Sequence, residues 1–239
     1  MMAQSGGRRL GVGWPRAVRV QRLVLELKLA GGAPWILVPL GLLVLTLMHT
    51  GLGGGAAEWA PHWAENCEAF LPLGFGIGSA SLLLVEHDEG MLEMASALPL
   101  PRLARTRTLA LVGGAWLLVL VWLVGLRVLF GPVPFWTGVG AALGPGLFLG
   151  GGSALVASRS GRVALGYLVA IGVPVMDLVL QLLGVFYRLW PLQLVNVFAY
   201  RWATPEPGWV VVKVVMGLVG LWLYRRAIRG WRDAGANLL

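Results

Sequence analysis

Residues Val163–Phe186 read VALGYLVAIGVPVMDLVLQLLGVF, with Asp177 as the only charged side chain in the run. A helix of ~20 apolar residues covers the ~30 Å hydrocarbon core of a bilayer. A half-buried soluble helix would alternate polar and apolar faces, and this run does not. Five more apolar windows lie on either side of it: Pro34–Thr50, Phe70–Leu84, Leu109–Phe130, Thr137–Ala157 and Val210–Tyr224. The bulk composition agrees. The chain of 239 residues is 57% hydrophobic and only 13% charged, against about 25% charged in soluble domains. Mean hydropathy is +0.76. The expected fold is an all-α integral membrane protein with six transmembrane helices in a single domain, residues 1–239. Helices are the choice here because backbone groups in lipid must be satisfied within their own segment.

Arginine and lysine set the expected orientation, since cytoplasmic loops carry the excess of these residues. Placing the N-terminus inside puts fifteen of the nineteen basic residues inside: Arg8 to Lys28, then Arg102, Arg105 and Arg107, then Arg159 and Arg162, then Arg225, Arg226, Arg229 and Arg232. Both termini are therefore expected in the cytoplasm, with Glu58, Glu65 and Glu68 in a solvated outer loop. The net charge of +8 does not indicate nucleic acid, because the basic residues sit beside apolar spans rather than along one soluble face. Cys67 is the only cysteine, so no internal disulfide forms. No cleavable signal peptide is read in the first twenty residues, which lack an apolar core.

Two segments do not fit a span. Residues 13–30 hold Arg19, Arg22 and Glu26 at helical spacing on one face, with Val20, Val24 and Leu27 opposite; Arg16 adds charge near the start. This predicts an amphipathic helix lying on the inner leaflet. Residues 187–208 hold Trp190, Phe198, Tyr200 and Trp202 around an apolar middle, which predicts either an outer aromatic loop or a re-entrant segment.

Between the second and third windows lies Glu86-His87-Asp88-Glu89-Gly90-Met91-Leu92-Glu93, followed by Ala97-Leu98-Pro99-Leu100-Pro101-Arg102. The pattern predicts a short cytoplasmic helix along the inner surface within residues 86–101. Acidic residues near its start suit the helix dipole, and Pro99 and Pro101 end it. A simple connector has no need of four carboxylates. This stretch resembles the coupling-helix region of ABC-2-type transporter permeases, the membrane subunits of a class of ATP-binding-cassette exporters. The shared pattern is an acidic residue, a glycine, an apolar helical turn, then Leu-Pro and a basic residue before the third span. Met91 stands where that family often has threonine. The wider layout is similar too: an interfacial helix, six spans, an aromatic outer segment and a basic tail.

The resemblance implies a permease subunit of the cell inner (plasma) membrane that pairs with a second permease subunit, identical or not. It implies two cytoplasmic ABC ATPase subunits as partners, docking on Glu86, Asp88, Glu89, Gly90, Met91, Leu92, Glu93, Leu98 and Pro99, with Arg16, Arg19, Arg22 and Glu26 of the interfacial helix beside them. The apolar and aromatic walls of the spans suit an apolar or amphipathic cargo. This chain has no GxxxxGK[ST] phosphate loop. ATP and Mg would thus be held by the partner, with no cofactor, metal or catalytic residue on this chain, which is not itself read as an enzyme.

Within the spans Asp177 is the conspicuous carboxylate. Charges at such depth are costly and face protein or water. Lys213 lies near the outer start of the last window and Arg127 in the third, so an intramembrane charge pair of Asp177 with Lys213, or with Arg127, is expected. The glycine-rich fourth window offers Gly140/Gly144 and Gly146/Gly150 as close-packing pairs. Ser79, in Gly76–Ala80, is weighed as a protease nucleophile, but no histidine within the spans is placed to act as its base. A metal patch at His62, Glu65, Cys67 and Glu68 is outweighed by an ordinary solvated loop. The competing readings are a secondary transporter, which predicts inverted repeats and polar residues at mid-membrane, and a non-catalytic membrane assembly factor.

Overall fold

The computed structural model describes residues 67–68, 71–82, 135–185 and 207–236, with six isolated positions between 109 and 128. The described part is helical, in four helices: α1 (Leu71–Ala80), α2 (Phe135–Ser160), α3 (Val163–Leu182) and α4 (Pro207–Ala236). Two of them, α2 over Gly138–Ser160 and α3, are long and apolar enough to cross a bilayer. The expected windows Phe70–Leu84, Thr137–Ala157, Val163–Phe186 and Val210–Tyr224 coincide with these helices, with two differences. Ser81 and Leu82 leave the helical path after α1. In α4 the helix runs on through Arg225, Arg226 and Arg229, where a basic tail was expected. In the third window the described positions Leu109, Gly113, Leu117, Leu120, Val124 and Val128 are each helical and exposed. The interfacial segment 13–30, the first window, the acidic stretch 86–101, all but the last two residues of the aromatic segment 187–208, and both chain ends lie outside the described residues.

A two-residue turn joins α2 to α3. Gly161 adopts φ +66°, a left-handed conformation that favours glycine, and Arg162 follows in extended conformation. Ser160 holds the corner: its hydroxyl donates to the Val156 carbonyl at 2.7 Å, and the Arg162 N–H donates to that hydroxyl at 3.3 Å. A connection this short makes α2 and α3 antiparallel. At the far end of α3, Gly184 is again left-handed at φ +67°, and its N–H caps the Gln181 carbonyl at 2.9 Å.

Glycine then sets how the helices meet. A Cβ on Gly144 would strike the Lys213 carbonyl, and one on Gly220 would strike the Leu147 backbone. The α2 and α4 backbones thus approach closer than any larger residue permits, which is the small-residue packing of membrane helices. The contacts run in step, Gly144 beside Lys213 and Gly151 beside Gly220, so α2 and α4 are parallel. Helix α1 follows the same direction, with Phe75 at Gly146 and Ser79 at Gly150. It runs against α3, with Gly76 at Ala170 and Ala80 at Gly166. Three helices therefore point one way and α3 the other. Arg159, Arg162, Arg225, Arg226 and Arg229 are all exposed at the end of the bundle where α1, α2 and α4 finish and α3 begins.

The polarity of α3 is inverted relative to a helix of a water-soluble bundle. The buried residues of α3 are Gly166, Ala170, Asp177 and Gln181, small or polar without exception. Its outward residues are large and apolar: Leu168 is 65% exposed and Leu182 is 69% exposed, with Ile171, Val175, Met176 and Val179 between them. In water this arrangement would expose what folding normally buries.

Candidate functional site

Charges buried in an apolar bundle persist only when paired and hydrogen-bonded. The described part concentrates them at one place. Lys213, on the buried face of α4, forms a salt bridge with Glu68, and the two side chains are only 4% and 1% exposed. Asp177, on the buried stripe of α3, is 4% exposed. The Gln181 side chain donates to it at 2.7 Å from one turn further along the same helix. The Asp177 charge also bears on the Lys213 ammonium. Lys213 thus pairs with Glu68, and Asp177 is enclosed with Gln181 at the same end of the bundle, opposite the arginines. Lys213 sits level with Gly144, about 9 Å along the helix from the start of the apolar part of α2 at 1.5 Å per residue. The groove beside it between α2 and α4, about 280 Å³, is lined by Gly140, Leu143, Gly144, Val214 and Gly217 among others and is apolar.

A second polar contact lies deeper. Ser79 on α1 and Tyr224 on α4 share a hydrogen bond of 2.5 Å, and both are buried. Gly150 leaves the room for it, because a Cβ there would meet the Tyr224 hydroxyl and come within 2.9 Å of Ser79 Oγ. Near the arginine end, the Arg226 guanidinium lies 5.0 Å from the centre of the Trp222 ring, a cation–π distance.

The expectation of a solvated outer loop fails at Cys67 and Glu68. Both are helical and wholly buried. The error has a physical source: three acidic residues before an apolar run look like a loop until a cation elsewhere in the chain accounts for one of them. The salt bridge to Lys213 is therefore with a residue that the sequence reading had placed in water, while Asp177 joins the same cluster with Gln181, whose role no local pattern signals. Arg127 lies outside the described residues, as do the docking residues Glu86–Pro99 and the interfacial Arg16, Arg19, Arg22 and Glu26. Ser79 faces a tyrosine and not a base. Among the described residues no group of three or more His, Cys, Asp or Glu gathers as a metal site. No family model, no curated protein and no solved structure matches the chain.

Proposed function

We propose that this chain is the membrane-spanning permease subunit of an ATP-driven ABC-2-type exporter, working with separate ATPase subunits and a second permease subunit. The inverted polarity of the helices carries the membrane assignment: large apolar side chains face outward while Asp177, Glu68 and Lys213 are enclosed. Six spans with both ends in the cytoplasm belong to this reading. In such a chain the second, fourth and sixth spans run one way and the fifth runs back, and the contacts of α1, α2, α4 and α3 follow that order. Every described arginine lies at one end, which the positive-inside rule makes cytoplasmic.

The acidic stretch that resembles a coupling helix begins four residues after Leu82, where α1 leaves the bundle at this same arginine end. A soluble motor would reach it there. ATP binding by that motor would shift the spans between inward and outward access. The apolar groove between α2 and α4 favours apolar or amphipathic cargo. The test is assembly with an ATPase that carries a phosphate loop and is encoded beside this chain. The two should purify together, and Glu89→Lys with Glu93→Lys should release the ATPase while leaving the permease in the membrane. Retention of the ATPase by that double variant would overturn the proposal.

The buried Glu68–Lys213–Asp177 cluster favours one second reading, a secondary transporter, because such carboxylates and lysines often line coupling-ion paths. Purified chain in vesicles without any ATPase separates the two. Cargo flux driven by a proton or sodium gradient alone supports the second reading and excludes the first.

A further inference from the structure

Two polar links reach α4, one from Glu68 just ahead of α1 and one from Ser79 on α1, and they share one spacing. Glu68 and Lys213 are 145 residues apart in the chain, and so are Ser79 and Tyr224. Lys213 and Tyr224 on α4 are therefore separated by the same interval as Glu68 and Ser79; on a helix that interval is about three turns and ~16 Å of rise, which returns to nearly the same face. Because α1 and α4 run parallel, the links stand in register along one seam. Phe75 and Met216, each 5% exposed, lie at intermediate heights on the two helices. Neither link is open to water, so solvent cannot substitute for either partner.

Helix α3 is held differently. It meets α1 where Ala170 faces Gly76 and Gly166 faces Ala80, contacts with no side chain larger than a methyl group. Sliding at those two points breaks no hydrogen bond, whereas at each polar link to α4 it does.

We propose that α1 and α4 move as one body, bolted at two levels by Glu68–Lys213 and Ser79–Tyr224. A displacement of the acidic stretch that follows α1 is then delivered through α4 to Lys213 at the opposite end of the bundle. The bolting stands without the transporter reading; only its use in carrying motion rests on that reading.

Spin-label distances in the full-length chain, carried in phosphatidylethanolamine–phosphatidylglycerol nanodiscs with Cys67→Ala, test this. Labels at Leu73 with Val211, and at Ser81 with Arg225, report the α1–α4 seam; Ser81 with Leu165 reports α1–α3. Both seam distances should be single and narrow, and equal with and without ATP-loaded partner, while the α1–α3 distance changes. Tyr224→Phe, which keeps the ring, should broaden the Ser81–Arg225 distribution. Adding Lys213→Met should broaden both seam distributions about twofold, since no polar link then joins the helices. A seam distance that moves by about 5 Å, one helical turn, between nucleotide states overturns the proposal. So does a seam that stays narrow with both links cut. If the widths respond to the substitutions as expected but ATP moves no pair, the bolting holds and the exporter reading fails.

Discussion

Lys213 is the residue on which most of the buried polarity converges. Its ammonium is enclosed between Glu68 and the field of Asp177, so removing it leaves carboxylates buried without their cation. Breaking a buried pair from one side costs about 3–5 kcal/mol in proteins, whereas neutralising both members together costs far less. Lys213→Met should therefore unfold at markedly lower temperature than the wild type, and Glu68→Gln with Lys213→Met should recover most of the loss, as read by thermal unfolding in nanodiscs. A charge exchange makes a finer prediction. Glu68→Lys with Lys213→Glu restores the attraction between the two positions but sets a new carboxylate against Asp177. The exchanged protein should regain stability only in part, and Asp177→Asn should complete the recovery. Full recovery without the third change would mean that Asp177 is not part of the cluster. Tyr224 is the milder case. Tyr224→Phe deletes one hydrogen bond inside the bundle, and such bonds between membrane helices are worth about 1 kcal/mol.

Helix pairing depends on positions where a side chain is missing. Gly144, Gly151 and Gly220 put the α2 and α4 backbones in contact, so Gly220→Leu should separate the pair and leave the chain open to protease in membranes. At Gly150 the effect is narrower. Gly150→Ala displaces the Tyr224 hydroxyl, and its cost should not add to that of Tyr224→Phe, because both remove the same bond. Outward faces carry the opposite expectation. Single cysteines at Leu168 and Leu182 should resist a membrane-impermeant maleimide and respond to a quencher dissolved in lipid. Ready labelling from water would contradict the bilayer placement of α3.

Among the described residues the arrangement is polar from end to end: exposed arginines at one end, an enclosed charge cluster toward the other, and α3 running against α1, α2 and α4. On the proposed orientation, a cysteine at Arg229 should label from the cytoplasmic face only, in inverted vesicles and not in right-side-out ones. Native Cys67, wholly buried, should stay silent in both. Much of this was legible in advance. The positions of α2, α3 and the apolar part of α4 matched windows read from hydropathy, and Asp177 and Lys213 stood out as charges inside apolar runs. Glu68 was not legible, because nothing within a few residues of it announces a partner. Ser79 was weighed as a nucleophile without a base, and its hydroxyl partner likewise lies on a distant helix.

The sequence by itself determined where the apolar windows of α1, α2, α3 and the first part of α4 lie, because the transfer of a ~20-residue helix into lipid is a sum over neighbours in the chain. Only the tertiary structure decided which charges meet. Glu68 reaches Lys213 across 145 residues, and that meeting depends on helix register, which glycine contacts between separate helices fix. A local pattern holds no record of such contacts, since the energy of a buried ion pair belongs to two residues and not to either stretch of chain.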